Sequence, residues 1–227
     1  ELLKARLSEN GLAVQWLPFH LLSDAEMKMT ARTFMQAFPH TTLWLSPLKY
    51  HGLLVGSMKP LQIDVQALRR KMQRPGVRQE MAHVGAEEPL DFLTGFVMGE
   101  ADLRQYVGSA KLNTDNRPYL EFTPAWSFFI GQRYALQNLT YFQMARKSAL
   151  PLLVNAGDTP SAVTAMADSV TRRYEATQHT FKGDIYYSLG FTDKAWKEWR
   201  SALSIDPGDK SALRAIERAT GVPEQRQ

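Results

Sequence analysis

Apolar and polar positions follow three rhythms along the chain. Glu1 to Glu9 alternates apolar and charged residues at helical spacing, and Asn10-Gly11 supplies a stop. Leu12 to Leu17 is an apolar run of the length of a buried strand. Ser23-Asp24-Ala25-Glu26 reads as a capping box, in which the serine and the glutamate satisfy the free amides of a helix start. Met27, Ala31, Phe34 and Phe38 then recur at helical spacing until Pro39. Thr41–Leu45 and Leu53–Val55 read as two further strands. Helix, strand, helix, strand, strand suits the closing half of a doubly wound α/β sheet, its last two strands paired as an antiparallel hairpin.

Residues 61–107 switch to short helices. Asp64 caps one that ends at Arg74, and Pro75 opens the next, which Gly85 stops. A third follows Glu88-Pro89 and ends at Gly99, and a fourth covers Glu100 to Tyr106. Asn113-Thr-Asp-Asn-Arg-Pro118 is a cluster of turn formers, followed by strand-like alternation over Tyr119 to Phe122. Beyond Trp126 the pattern is helical throughout. Ser127–Lys147 is aromatic-rich, Thr159-Pro160 is a cap with a first-turn proline, and Val163, Ala167, Val170 and Tyr174 form one stripe. Gly183, Tyr186, Gly190, Ala195, Trp199, Ala202 and Pro207 have the spacing of a tetratricopeptide unit at about 176–209. His179 and Lys182 stand where that unit carries large apolar residues. One unit is below the roughly three an independent solenoid needs, so the helical part is expected to lean on the α/β part. The expected division is 1–60, 61–125 and 126–227: α/β followed by all-α.

Composition narrows the classes. The 227 residues are 44% hydrophobic and 22% charged, ordinary for a globular chain. A net charge of +4 is too small to argue for nucleic acid without a concentrated patch. The absence of cysteine excludes disulfides, thiolate catalysis and cysteine-ligated zinc or iron–sulfur centres. No apolar run approaches the roughly 20 residues that span a bilayer. The chain opens on Glu1 without a signal-like start, so it is expected to be a piece of a longer protein.

Several strings resemble the spermidine synthase-like family. Asn10-Gly-Leu-Ala-Val-Gln15-Trp-Leu-Pro18 resembles its Gly-x-x-x-Gln strand, and the helix from Ser23 to Phe38-Pro39-His40 the helix after it. Gly52-Leu-Leu-Val-Gly-Ser57 is similar to its Gly-x-x-x-x-Ser strand. Asn113-Thr-Asp-Asn-Arg-Pro-Tyr-Leu-Glu-Phe122 resembles the Thr-Asp-(Asp/Asn)-Arg-Pro-x-x-Glu-Phe string of the bacterial branch, often fused to a membrane-embedded, transporter-like segment. The resemblance covers about residues 1–125. It implies the second half of a Rossmann-like sheet of the S-adenosylmethionine methyltransferase type. The implied activity is aminopropyl transfer from decarboxylated S-adenosylmethionine, as cosubstrate of the parent protein, to a diamine such as putrescine. The implied place is the cytoplasm, at the inner face of a bacterial membrane where upstream segments anchor it. The family's glycine-rich loop, ribose-binding acid and catalytic Asp all precede the Gln-bearing strand, so this chain alone is expected to be inactive. No catalytic, cofactor or metal residue is assigned to it.

For substrate contact the resemblance singles out Gln15 and Tyr50. Asp115 and Glu121 admit two readings: a turn locked by pairing with Arg117, or carboxylates facing the amine end of a pocket. His20, His40, His51, His83 and His179 include no i, i+4 metal pair, and caps or surface positions explain them better. Arg69, Arg70, Lys71, Arg74 and Arg78 read as a solvated helix face. Asn138-Leu-Thr is a sequon placed on a helix. The competing functional class is a non-catalytic module whose residues 126–227 bind a protein partner or a second copy.

Overall fold

The computed structural model describes residues 2–46, 51–122 and 127–221. In chain order its elements are α1 (Leu2–Arg6), β1 (Ala13–Pro18), α2 (Asp24–Ala37), β2 (His40–Leu45) and β3 (His51–Ser57). Then come β4 (Ile63–Asp64), α3 (Val65–Met72), α4 (Pro75–His83), α5 (Pro89–Leu93), β5 (Phe96–Met98) and α6 (Glu100–Val107). α7 (Ser127–Ala145), β6 (Leu153–Val154), α8 (Pro160–Ser188), α9 (Thr192–Ile205) and α10 (Lys210–Thr220) complete the set. The architecture is mixed α/β, with a small antiparallel sheet and a helical C-terminal region. Among the described residues no helix is long and apolar enough to cross a membrane. The chain divides into two compact units, Glu1–Gln62 with Gly95–Lys147, and Ile63–Thr94 with Ser148–Gln227.

The first unit is built on a four-stranded sheet ordered β1-β3-β2-β5. β3 runs antiparallel to both β1 and β2, so those two strands run parallel to each other. Parallel strands need a crossover, and α2 provides it. Its start is the capping box expected from the sequence: the Ser23 amide and hydroxyl both donate to Glu26 Oε2 at 2.7 Å, and the Glu26 amide donates back to Ser23 Oγ. Strand alternation puts Ala13, Gln15 and Leu17 on one face with their partners Gly56, Leu54 and Gly52. α2 covers that face where Gly56 lies against Phe34 and Phe38; a Cβ at Gly56 would sit 2.6 Å from each. α7 packs there too, with the Phe142 ring stacked on Phe19 at 5.3 Å.

Two expectations are corrected in this unit. β1 is an outer strand rather than a buried one: Val14, Gln15 and Trp16 are exposed and only Leu17 is fully buried. The stretch read as the end of a helix at 96–98 is β5 instead. Phe96, Val97 and Met98 are all buried, and they extend the sheet beside β2. Three consecutive apolar residues carry no alternation, so periodicity could not separate strand from helix.

The second unit is helical, with β4 and β6 as a two-residue parallel pair. Asp64 caps α3 as expected, accepting from the Ala67 amide at 2.7 Å, and Thr159 caps α8 from its side chain to the Ala162 amide at 3.2 Å. α8 is one helix from Pro160 to Ser188, so the stripe and the first half of the repeat-like unit are continuous. α8 and α9 pack as a helical hairpin. Gly183 allows the approach, since a Cβ there would lie 2.5 Å from the Trp199 ring. Trp199, Ala195 and Ala202 are buried in this seam, and Trp199 Nε1 donates to Asp184 Oδ1 at 3.2 Å. Arg69, Arg70, Lys71, Arg74 and Arg78 are exposed, as a solvated face requires.

The polar residues of this hairpin pair with one another. Glu198 accepts from Lys182 Nζ at 2.8 Å and lies 2.7 Å from His179 Nδ1. That answers why two polar residues occupy positions expected to be apolar. Burial acts to raise the Glu198 pKa, but the hydrogen bonds from Lys182 and His179 outweigh it and hold the carboxyl below its ordinary 4.5. A carboxyl lowered on folding contributes stability above its unfolded pKa and loses it as the pH falls through the folded value. Urea melts should therefore show the wild type losing more stability than Glu198→Gln when the pH is taken below 4.5. Equal acid sensitivity of the two proteins would contradict this account of Glu198.

Candidate functional site

β1 and β2 end at the same edge of the sheet, where β3 begins. In open sheets with parallel strands, ligands bind beyond the carboxyl ends of those strands. At this edge Pro18 faces His51 across the β1–β3 pair. Ser46 follows β2 directly and its amide donates to the His51 carbonyl at 2.9 Å, which makes Ser46 the next cross-strand partner of His51. Cross-strand partners share a face, so Pro18, His51 and Ser46 form one row, and Trp16, Leu53 and Trp44 form the row behind it. The Trp16 and His51 rings meet edge to face at 5.1 Å, and the His20 ring lies 5.9 Å from His51.

α7 holds the segment that carries His20. Asn138, buried at 3% exposure, donates through Nδ2 to the Phe19 carbonyl at 2.9 Å and the Leu22 carbonyl at 2.8 Å. Those bonds also dispose of the sequon, whose acceptor amide is sealed inside the fold. The Leu21 amide donates to the Pro18 carbonyl at 3.1 Å and closes the turn between them.

The electrostatics of the cluster favour a neutral imidazole. Burial lowers the His51 pKa from its ordinary value, and the neighbouring His20 lowers it further. His51 Nδ1 and Ser46 Oγ are both shielded from solvent and have no hydrogen-bond partner among the described residues. Leaving such an atom unpaired costs about 1–3 kcal/mol, so a buried acceptor of this kind has to be explained. Among the described residues no group of three metal-binding side chains occurs.

The residues expected from the sequence lie elsewhere or apart. Gln15 is exposed on β1, on the opposite face from Trp16 and His51, and its Nε2 donates to the Trp16 carbonyl at 2.9 Å. Tyr50 lies outside the described residues. Asp115 and Glu121 are exposed, and no ion pair joins either to Arg117 among the described residues. The expected carboxylate lock is thus replaced by other bonds. Thr114 and Arg117 exchange backbone bonds at 2.8 and 3.2 Å, Asn113 Oδ1 accepts from the Leu120 amide at 3.0 Å, and the Asn113 amide donates to Thr33 Oγ1 at 2.9 Å. Tyr119–Phe122 forms a turn of 3-10 helix rather than a strand, since the Glu121 amide turns back to the Pro118 carbonyl at 3.1 Å.

The residues missed were His20, Ser46 and His51. Local spacing holds no trace of them as a group, because they meet only through strand register. The usable signal was their position, each just beyond or at the start of a strand. No family model, no curated protein and no solved structure matches the chain.

Proposed function

We propose that the chain is the C-terminal part of a spermidine synthase-like protein, whose parent transfers an aminopropyl group from decarboxylated S-adenosylmethionine to a diamine such as putrescine. The observation that carries this reading is the connection β1–α2–β2, a parallel crossover closed by the antiparallel strand β3. It supports the closing half of a Rossmann-like sheet, with the Gln-bearing strand and the Gly-x-x-x-x-Ser strand side by side. The α8–α9 hairpin, with Gly183 against Trp199 and Ala195 and Ala202 buried, supports a tetratricopeptide-like unit in the helical region. In this reading the chain contributes the amine side of the reaction. Gln15 orients the diamine, and the acids that hold the cosubstrate and remove the proton belong to upstream segments. The parent sits at the cytoplasmic face of a bacterial membrane.

Calorimetry of the full-length parent tests it. Heat is expected with decarboxylated S-adenosylmethionine and with putrescine, and Gln15→Ala should weaken putrescine about tenfold, the worth of one hydrogen bond to a charged group. No heat with either ligand would overturn the reading and leave a non-catalytic module that acts through its helical region.

A further inference from the structure

We infer that the basic arm formed by α3 and α4 is a docking surface for an anionic membrane leaflet, with its arginines on lipid phosphates. The inference goes beyond the aminopropyl-transfer reading, because it rests on charges of this chain alone and holds for a parent of any activity. Residues 65–79 carry five cations, Arg69, Arg70, Lys71, Arg74 and Arg78, and no carboxylate. Those five charges exceed the +4 of the whole chain, so its positive excess is concentrated here. A solvated helix ordinarily sets an acid three or four residues from a base, and none of the five has one. The carboxylates that flank the arm are committed elsewhere. Asp64 accepts from the Ala67 amide and from Asn155 at 2.7 Å each, Glu87 pairs with Lys210 at 2.9 Å, and Glu80 lies 3.9 Å from His83. Arg70 and Arg78 act on Asp64 and Glu87 through their charge alone.

α4 gives the arm its apolar component. Arg74, Val77, Arg78 and Met81 stand at i, i+3, i+4 and i+7, so they share one side of the helix, and Glu80 lies off that side. No residue of α4 is buried, and Val77 is 40% exposed. A helix without a buried residue has its amphipathic side still to cover. An anionic bilayer suits both components: headgroup phosphates take the guanidinium groups, and the acyl boundary takes Val77 and Met81. At nine residues α4 is too short to cross a bilayer and lies along it in this arrangement. Nucleic acid offers phosphates but no place for the apolar pair. Residues 65–79 also include no aromatic side chain on which a base could stack.

The test is cosedimentation of the full chain with vesicles of phosphatidylcholine mixed with phosphatidylglycerol, against vesicles of phosphatidylcholine alone. The chain should pellet with the mixed vesicles only, and added salt should release it. The triple variant Arg70→Gln, Arg74→Gln, Arg78→Gln should bind about a hundredfold more weakly, at about fivefold for each cation near an anionic surface. Val77→Ser should weaken binding about threefold, which is what burying the exposed part of one valine supplies. All four positions are exposed, so the variants should keep the fold, and circular dichroism checks that they do. Absent or equal pelleting with the two kinds of vesicle, or a triple variant that binds as wild type does, would overturn the inference. Duplex DNA bound as tightly as the mixed vesicles, with Val77→Ser weakening neither, would make the arm a general polyanion site and overturn the lipid assignment. The aminopropyl-transfer reading stands or falls separately, on the calorimetry of the parent.

Discussion

Arg173→Met is expected to destabilise the helical unit by about 3–5 kcal/mol, the cost of breaking a buried ion pair from one side. Arg173 on α8 donates to Asp91 of α5 through Nη1 and to Asp206, just past α9, through Nε. Its side chain is 14% exposed and that of Asp91 only 8%. Burial acts to lower the Arg173 pKa, yet the hydrogen bond and charge of Asp206, then those of Asp91, reverse it to a net rise. Methionine keeps much of the volume and removes the charge, so the loss reports electrostatics rather than a cavity. Asp91 would be left with Lys210 at 3.6 Å as its cationic partner in this cluster. The double variant Arg173→Met with Asp91→Asn should recover part of the loss, because it removes the stranded charge. Urea denaturation followed by helical circular dichroism measures both. A single variant within about 0.5 kcal/mol of wild type would show the network to be solvated and the account wrong.

Gly56→Val should cost the sheet-bearing unit about 3 kcal/mol, at the upper end of overpacking penalties. The first added atom would lie 2.6 Å from Phe38 Cβ and 2.6 Å from Phe34 Cε1. A ring tip can rotate aside, but Phe38 Cβ is fixed to the backbone at the end of α2. Phe38 is itself 1% exposed and has no room to retreat. Relief therefore demands that α2 lift from β3. Gly56→Ala should show a smaller loss of the same kind, since it adds the clash without the branch. Thermal melts of the two variants give the comparison, and a valine variant as stable as wild type would mean that α2 is not seated on β3 as described.

What was legible in the sequence was what neighbours in sequence decide. Ser23 with Glu26, Asp64, and Thr159 with Pro160 announce helix starts because the cap and the amide it satisfies lie within three residues. β2 and β3 were legible as short apolar runs with a turn between them. β5 was hidden because three residues are too few to show a period, and its pairing partner lies more than fifty positions away. β1 misled for a related reason: the run Leu12–Leu17 is apolar, but whether a strand is central or outer is fixed by sheet order, which no local pattern encodes. The turn at Asn113–Arg117 was correctly placed and wrongly explained, since the bond from the Asn113 amide to Thr33 joins residues eighty apart. The cluster of His20, Ser46 and His51 has the same origin. Each residue is unremarkable alone and acquires a role only when strand register sets it beside the others.

The two units are interleaved along the chain: residues 63–94 belong to the second but are synthesised between the two segments of the first. A growing chain therefore cannot finish either in order. β2 must wait for β5 to complete its outer edge, and the Phe19 side chain must wait for Phe142. Meanwhile α3 and α4 emerge packed on each other, and α3 on α5, while α8, against which α5 packs, is not yet made. From residue 94 until α8 (Pro160–Ser188) has been made, α5 exists without the long helix it packs against. Such a chain is exposed to chaperones and proteases during synthesis. Translation speed through this window should then matter more to the yield of folded protein than speed anywhere else in the chain.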